Sequence, residues 1–159
     1  LEILEDLPDV DTVVMAFGSG GLSGGIASAL RALKPDTHVY ACELDCAAPL
    51  TAALAAGMPV QVEVRPSFVD AIGTRSVLPE MFPLAQQLLD GALVVSPAQT
   101  AAAVRLLVER NRIVAEGAGA APVAAALAGL AGSGRIACVI SGGNIDTGRL
   151  VRVLQGEVP

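Results

Sequence analysis

The stretch Thr12-Val-Val-Met-Ala-Phe-Gly-Ser-Gly-Gly-Leu22 decides the fold. Its first half, up to Phe17, is an almost unbroken apolar run, which is typical of a strand buried on both faces of a parallel sheet. The glycines that follow predict a tight turn. Apolar residues then recur at the spacing of one face of a helix: Leu22, Ile26, Ala29, Leu30 and Leu33. A strand, a glycine turn and a helix in this order predict a unit of an α/β fold.

The alternation of short apolar strands and helices continues along the rest of the chain. Further strands are predicted at 37–42, 60–64, 92–95 and 136–140. Helices are predicted at 46–57 and 81–89, from a capping box at Ser96, after Glu116, and in the tail. Residues 65–80 are expected to be irregular. The predicted fold class is α/β: one domain over 1–159 with a doubly wound, mostly parallel sheet and helices on both faces.

Composition excludes several classes of protein. The 159 residues carry a formal net charge of −6 and only 3 % aromatic residues, which is unlike a nucleic-acid-binding protein. A hydrophobic content of 53 % argues against disorder. Residues 117–134 are uncharged, but they are mostly alanine interrupted by glycine and proline, so we expect a buried helix rather than a membrane span. Neither nucleic acid nor a membrane is an expected partner.

Cysteine, lysine and histidine are scarce. Three cysteines form no disulfide framework, which indicates a reducing compartment and a cytoplasmic location. Cys42 and Cys46 lack a second pair of zinc ligands, so we interpret them as small buried apolar residues. Lys34 and His38, the only lysine and the only histidine, are expected at a solvated corner between a helix and a strand. A serine–histidine–acid triad is therefore excluded.

Two glycine-rich strand ends predict a ligand site. Gly18-Ser-Gly-Gly21 precedes a helix, where backbone amides and the helix dipole favour a phosphate. Ser141-Gly-Gly-Asn144 follows the last strand, and the carboxyl ends of parallel strands meet at one edge of the sheet. Glu116 precedes a helix, where its carboxylate either favours the helix N-terminus or faces the ligand.

Two other functions stay open on the residues alone. A dinucleotide fingerprint would need glycine or alanine where the chain has Ser23, yet Glu43 stands about twenty residues after the glycine turn, as a ribose-binding acid would. The alternative is therefore an NAD(P)-binding, Rossmann-like domain. A non-catalytic interaction domain would bind neither kind of ligand.

Several motifs together resemble a known family. They are Val13-Val-Met-Ala-Phe-Gly-Ser-Gly-Gly-Leu-Ser-Gly-Gly-Ile26, Ala32-Leu-Lys-Pro35, Val39-Tyr-Ala-Cys-Glu43, Phe82-Pro83, Leu106-Leu-Val-Glu-Arg110, Val114-Ala-Glu-Gly-Ala-Gly-Ala120 and Ile140-Ser-Gly-Gly-Asn-Ile145. In this order they resemble the threonine/serine dehydratases and serine racemases, which are pyridoxal-phosphate enzymes of fold type II related to the tryptophan synthase β subunit. The resemblance covers nearly the whole chain.

The resemblance implies a cofactor, a reaction and a set of binding residues. Gly18, Ser19, Gly20, Gly21 and Leu22 would hold the phosphate of pyridoxal 5'-phosphate (PLP) through backbone amides, although Ser19 stands where glycine is usual. Ser141 would face the pyridine nitrogen, and Glu116 would line the pocket. The implied reaction is elimination of water from threonine or serine to give a 2-oxo acid and ammonia. A racemase of the same family is the alternative.

The chain also departs from the family. The lysine that forms the Schiff base has no counterpart here, so the chain is expected to be the C-terminal half of an enzyme, inactive alone. It would form a homo-oligomer or pair with the missing half. Some members hold a divalent cation through a glutamate, a carbonyl and an aspartate. Glu43 and Ala47 match the first two, but Pro49 replaces the aspartate. Asp70-Ala-Ile-Gly73 departs from a usual Asp-Gly in the pocket wall.

Overall fold

The computed structural model describes all 159 residues. Its four strands are β1 (Thr12–Ala16), β2 (His38–Leu44), β3 (Gly91–Val95) and β4 (Ile136–Cys138). Its helices are α1 (Glu2–Asp6), α2 (Gly21–Leu33), α3 (Pro49–Ala56), α4 (Phe82–Leu88), α5 (Pro97–Leu106), α6 (Gly117–Leu127) and α7 (Thr147–Leu154). A π-helical turn, Leu107–Asn111, extends α5.

The four strands form one parallel sheet in the order β3-β2-β1-β4. β1 is central, and its Val14 is paired with Tyr40 on one side and Cys138 on the other. All five residues of β1 are buried. This explains why the first strand is an apolar run without alternation. The glycine turn leaves the sheet at the carboxyl end of this central strand, beside the ends of its neighbours.

Helices cover both faces of the sheet. Val13 and Met15 point into a core that includes Ala27 of α2 and Phe82 of α4. Val14 points to the opposite face, where the core is built from residues of α5 and α6. The predicted α/β class with helices on both faces is therefore confirmed.

α6 is built from small residues because it packs closely against the sheet. Five of its alanines are at most 4 % exposed: Ala118, Ala120, Ala121, Ala124 and Ala125. The predicted buried helix is present, although it ends at Leu127, well before the end of the uncharged run. No helix in the structure is both long enough and apolar enough to cross a membrane.

One predicted strand is absent, and several predicted bounds differ from the structure, including that of β2, which is His38–Leu44 rather than 37–42. The strand predicted at 60–64 is wrong. This segment joins no strand of the sheet, and Val62 makes only a single backbone bond, donating to the Arg75 carbonyl at 2.8 Å. α3 begins at Pro49 rather than at residue 46, because Ala47 closes a turn onto the Leu44 carbonyl at 3.0 Å. β4 ends at Cys138, its last residue paired with β1, rather than at residue 140.

The capping box forms as predicted. The Ser96 hydroxyl accepts from the Gln99 amide at 3.2 Å, and the Gln99 side chain accepts from the Ser96 amide at 2.8 Å. α5 therefore begins at Pro97, directly after β3. The π-helical turn at its other end finishes at Arg112, whose φ is +61°. This reversal sends the chain back as an extended segment toward Glu116 and the carboxyl edge of the sheet.

Candidate functional site

The glycine turn presents unpaired amides at the carboxyl end of β1. α2 begins at Gly21, and its first turn leaves amide groups without acceptors inside the helix. The Gly24 amide is the first to find one, donating to the Gly20 carbonyl at 2.8 Å. The buried Ser23 hydroxyl donates to the same carbonyl at 3.1 Å, which fixes the turn. The turn can therefore bind an anion through backbone amides and the helix dipole.

Glycine is required at position 20 for two reasons. Its φ is +95°, a conformation that side chains disfavour. A Cβ there would also lie 3.2 Å from Met81 Cε and 3.4 Å from the Phe17 ring. The turn is therefore enclosed on this side by apolar side chains.

The second glycine loop, 141–143, packs against the start of α6 with no room for side chains at Gly142 and Gly143. A Cβ on Gly142 would overlap Glu116 Oε1, and one on Gly143 would lie 2.6 Å from the Val114 carbonyl oxygen. In the other direction, a Cβ on Gly119 would lie 2.7 Å from the Gly142 carbonyl oxygen. Ser141, the first residue of the loop, lines the same cavity as the glycine turn.

Glu116 precedes α6 without capping it. Its amide donates to the Gly142 carbonyl at 3.0 Å, while its carboxylate makes no hydrogen bond to the helix. The side chain instead lines a cavity together with Ser141. Of the two interpretations of this carboxylate, the geometry favours a ligand contact over helix capping.

One cavity of about 200 Å³ brings the predicted residues together. All seven predicted cofactor-binding residues line it: Gly18, Ser19, Gly20, Gly21, Leu22, Glu116 and Ser141. The sequence did not assign the four other lining residues, Ala16, Ala71, Ile72 and Ala118. The sequence indicated only one part of this wall, the segment 70–73, where the chain departs from the usual Asp-Gly of the family. No lysine, arginine or histidine lines the cavity, so an anion there would be held by amides.

Lys34 and His38 lie at the other end of the sheet. The Lys34 ammonium donates to the Pro8 carbonyl at 2.8 Å, and His38 begins β2 beside Thr12, the first residue of β1. The His38 side chain is 62 % exposed and lies 3.9 Å from the Asp90 carboxylate. Neither residue can serve as a base at the cavity.

Glu43 does not face the glycine turn. It is 1 % exposed at the end of β2, and both its carboxylate oxygens accept hydrogen bonds from the first turn of α3. Burial raises the pKa of Glu43 above its ordinary value, and bonds from Leu50 and Thr51 oppose that shift only in part. Glu43 therefore lacks the free carboxylate that the dinucleotide-binding alternative requires.

The cation set proposed from the resemblance does not fit either. The Glu43 oxygens are directed at α3, and Pro49, in place of the aspartate, is the first residue of that helix. No cluster of three or more His, Cys, Asp or Glu side chains in the structure could hold a metal ion. Cys42 and Cys46 are buried, and burial raises the pKa of the Cys42 thiol to about 12.

Comparison with known proteins identifies the family. A family model described as "Pyridoxal-phosphate dependent enzyme" matches residues 1–142. The chain belongs to this family. It is 37 % identical to the L-threonine ammonia-lyase of Thermotoga maritima over 156 residues, which cover 98 % of the chain but 39 % of that relative.

Solved structures of similar proteins share the fold. The processed form of threonine deaminase isoform 2 from Solanum lycopersicum matches with a TM-score of 0.89 and 28 % identity, over 98 % of this chain and 46 % of that one. The serine racemase of maize matches with a TM-score of 0.86 and 27 % identity, over 97 % of this chain and 50 % of that one. The chain thus spans half or less of the length of each of these three proteins.

The residues that line the cavity suit the polar groups of the cofactor that gives the family its name. The phosphate of PLP needs hydrogen-bond donors, and the glycine turn offers amides at a helix N-terminus. The pyridine nitrogen needs a polar partner, and Ser141, whose hydroxyl can donate or accept, lines the same cavity. Glycine is required at 119, 142 and 143, because side chains there would collide with backbone or with Glu116, so these positions set how the loop that carries Ser141 packs against α6.

Proposed function

We propose that the chain is the cofactor-binding half of a PLP-dependent ammonia-lyase, which eliminates water from threonine or serine and releases ammonia when the product is hydrolysed to a 2-oxo acid. The observation that carries the proposal is the single cavity in which the glycine turn, Ser141 and Glu116 meet. The similarity to the L-threonine ammonia-lyase of Thermotoga maritima supports the substrate class. When bound, PLP supplies an electron sink for bond cleavage at the α-carbon of an amino acid.

The residues of this chain would bind and orient the cofactor. Amides of the glycine turn would donate to its phosphate, and the helix dipole of α2 would stabilise the negative charge. The Ser141 hydroxyl would make a hydrogen bond to the pyridine nitrogen. A neutral hydroxyl there leaves that nitrogen unprotonated, which suits elimination of a β-hydroxyl.

We propose that the base for the α-proton comes from outside these residues. The one lysine is bonded to Pro8 at the opposite end of the sheet. The cavity of about 200 Å³ is also smaller than the sites of about 300–1,000 Å³ that enclose such ligands. A further segment of the enzyme would complete the site. Alone, the 159 residues should not convert threonine to 2-oxobutanoate.

Titration of the chain with PLP and with NADH tests the proposal. We expect PLP to bind, with a change in its absorbance, and inorganic phosphate to compete because it occupies the same amides. Binding of NADH without binding of PLP would refute the proposal in favour of a dinucleotide domain. Formation of 2-oxobutanoate by the chain alone would refute the assignment of the base to another segment.

A further inference from the structure

The buried carboxylate of Glu43 holds the start of α3. Oε1 accepts from the Leu50 amide at 2.7 Å, and Oε2 accepts from the Thr51 amide and the Thr51 hydroxyl, each at 2.8 Å. Among the charged side chains, only Glu43 is fully buried. Its two oxygens therefore satisfy three donors in a place where water cannot substitute.

α3 has no other cap. The residue before the helix is Ala48, which has no side-chain acceptor, and the first helical residue is Pro49, which has no amide hydrogen. The amides of Leu50 and Thr51 are thus the first donors at this helix end, and both face Glu43. Glu43, on the strand before the helix, supplies the cap that the local sequence lacks. The negative charge of its carboxylate suits the positive end of the helix dipole.

The turn between Glu43 and α3 supports the wall of the cavity. The Arg65 amide donates to the Cys46 carbonyl at 2.9 Å. Further along, the Ala47 methyl group lies 3.3 Å from where a Cβ on Gly73 would be. The loop between Arg65 and Gly73 carries Ala71 and Ile72, which line the cavity. Fixing this turn therefore fixes one wall of the cofactor site.

We propose that, in this protein, hydrogen bonds from the start of α3 take the place of a divalent cation at the Glu43 carboxylate. By bonding directly to the start of α3, the carboxylate ties β2 to the segment that supports the cavity wall. A cation at the same oxygens would have to displace three hydrogen bonds, and Pro49 offers it no carboxylate. The fold and the cofactor cavity then need no divalent cation.

Thermal unfolding and PLP titration of the chain test this proposal. Both are measured after treatment with EDTA, and again in millimolar Mg²⁺ or Ca²⁺. We expect the same Tm and the same PLP affinity in each condition. A cation-dependent rise in Tm that disappears in the Glu43→Gln variant would overturn the proposal. Since unfolding is followed without cofactor, this test does not depend on the proposed function.

Variants test the role of the carboxylate itself. Glu43→Gln keeps the shape of the side chain but places an NH2 donor opposite a backbone amide that is itself a donor. We expect it to lower Tm by about 4–10 °C with or without cations. Glu63→Gln, at an exposed glutamate, is the matched control and should leave Tm unchanged. If Glu43→Gln does not fold, Thr51→Val removes one donor only and should lower Tm by about 1–6 °C. A wild-type Tm in both Glu43→Gln and Thr51→Val would refute the capping role.

Discussion

Replacing Gly20 by alanine should damage the anion site specifically. The left-handed conformation at φ +95° costs a side chain roughly 1–2 kcal/mol. The new methyl group would also crowd Met81 and the Phe17 ring, at 3.2 and 3.4 Å. We therefore expect Gly20→Ala to lower the Tm of this chain by about 2–8 °C.

The same substitution should weaken PLP binding more than it weakens the fold. Relief of the strain would rotate the peptide groups of the turn, so that fewer amides could donate to the phosphate of PLP. Because a hydrogen bond to a charged group is worth about 1.5–3 kcal/mol, the loss of even one should weaken binding about tenfold or more. Titration with PLP at a temperature well below the Tm of the variant separates this effect from unfolding.

Gly25→Ala in the same helix is the matched control. Gly25 is exposed, and nothing lies within 4 Å of where its Cβ would be. Alanine there should raise stability by about 0.5–1 kcal/mol, because it lowers the entropy of the unfolded chain. PLP affinity should not change. Equal stability and equal PLP affinity of Gly20→Ala and the wild type would refute the assigned role of the turn.

Two further predictions concern side chains at the two ends of the sheet. The Arg149 guanidinium donates to Asp70 at 2.6 Å and to the Phe68 carbonyl at 3.2 Å, just before the cavity wall. Since this pair is largely exposed, Arg149→Met should lower Tm by no more than about 4 °C, yet weaken PLP binding severalfold. Unchanged PLP affinity would show that the Arg149–Asp70 pair does not contribute to PLP binding. At the other end, burial alone would raise the pKa of Asp90, but bonds from the Val39 amide and Arg31 outweigh it and lower that pKa. Stability from Asp90 is therefore present above the ordinary aspartate pKa of about 3.9 and is lost as the pH falls through the lower folded value. In Tm measurements from pH 6 to pH 2, the advantage of wild type over Asp90→Asn should shrink below about pH 4, and a constant difference would contradict the assignment.

Much of the site could be predicted from local sequence. The glycine turn, the capping box at Ser96 and the serine–glycine loop each depend on neighbouring residues, because backbone conformation and helix capping are set within a few positions. The carboxyl ends of parallel strands meet at one edge, so the sequence could also place the two loops together. All seven predicted binding residues line one cavity for that reason.

The error at 60–64 has a tertiary cause. Alternation of apolar and polar residues predicts a strand there, but a strand needs a neighbour to pair with. The sheet has the order β3-β2-β1-β4, and Val62 finds only the Arg75 carbonyl in an adjacent loop. The pairing partner is decided by packing over long sequence distances, which local pattern does not encode.

The sequence by itself determined the α/β class and the chemistry of the glycine turn, because periodicity and glycine conformations are local properties. Only the tertiary structure decided what Glu43 and Glu116 do. Both are carboxylates near helix starts, and sequence allows either one to cap a helix or to face a ligand. Close packing against Gly142 leaves the Glu116 carboxylate at the cavity, where it does not cap the start of α6. The turn after β2 directs the Glu43 carboxylate to the first turn of α3. Which donors a carboxylate meets depends on how distant segments pack, and that is fixed only when the chain is folded.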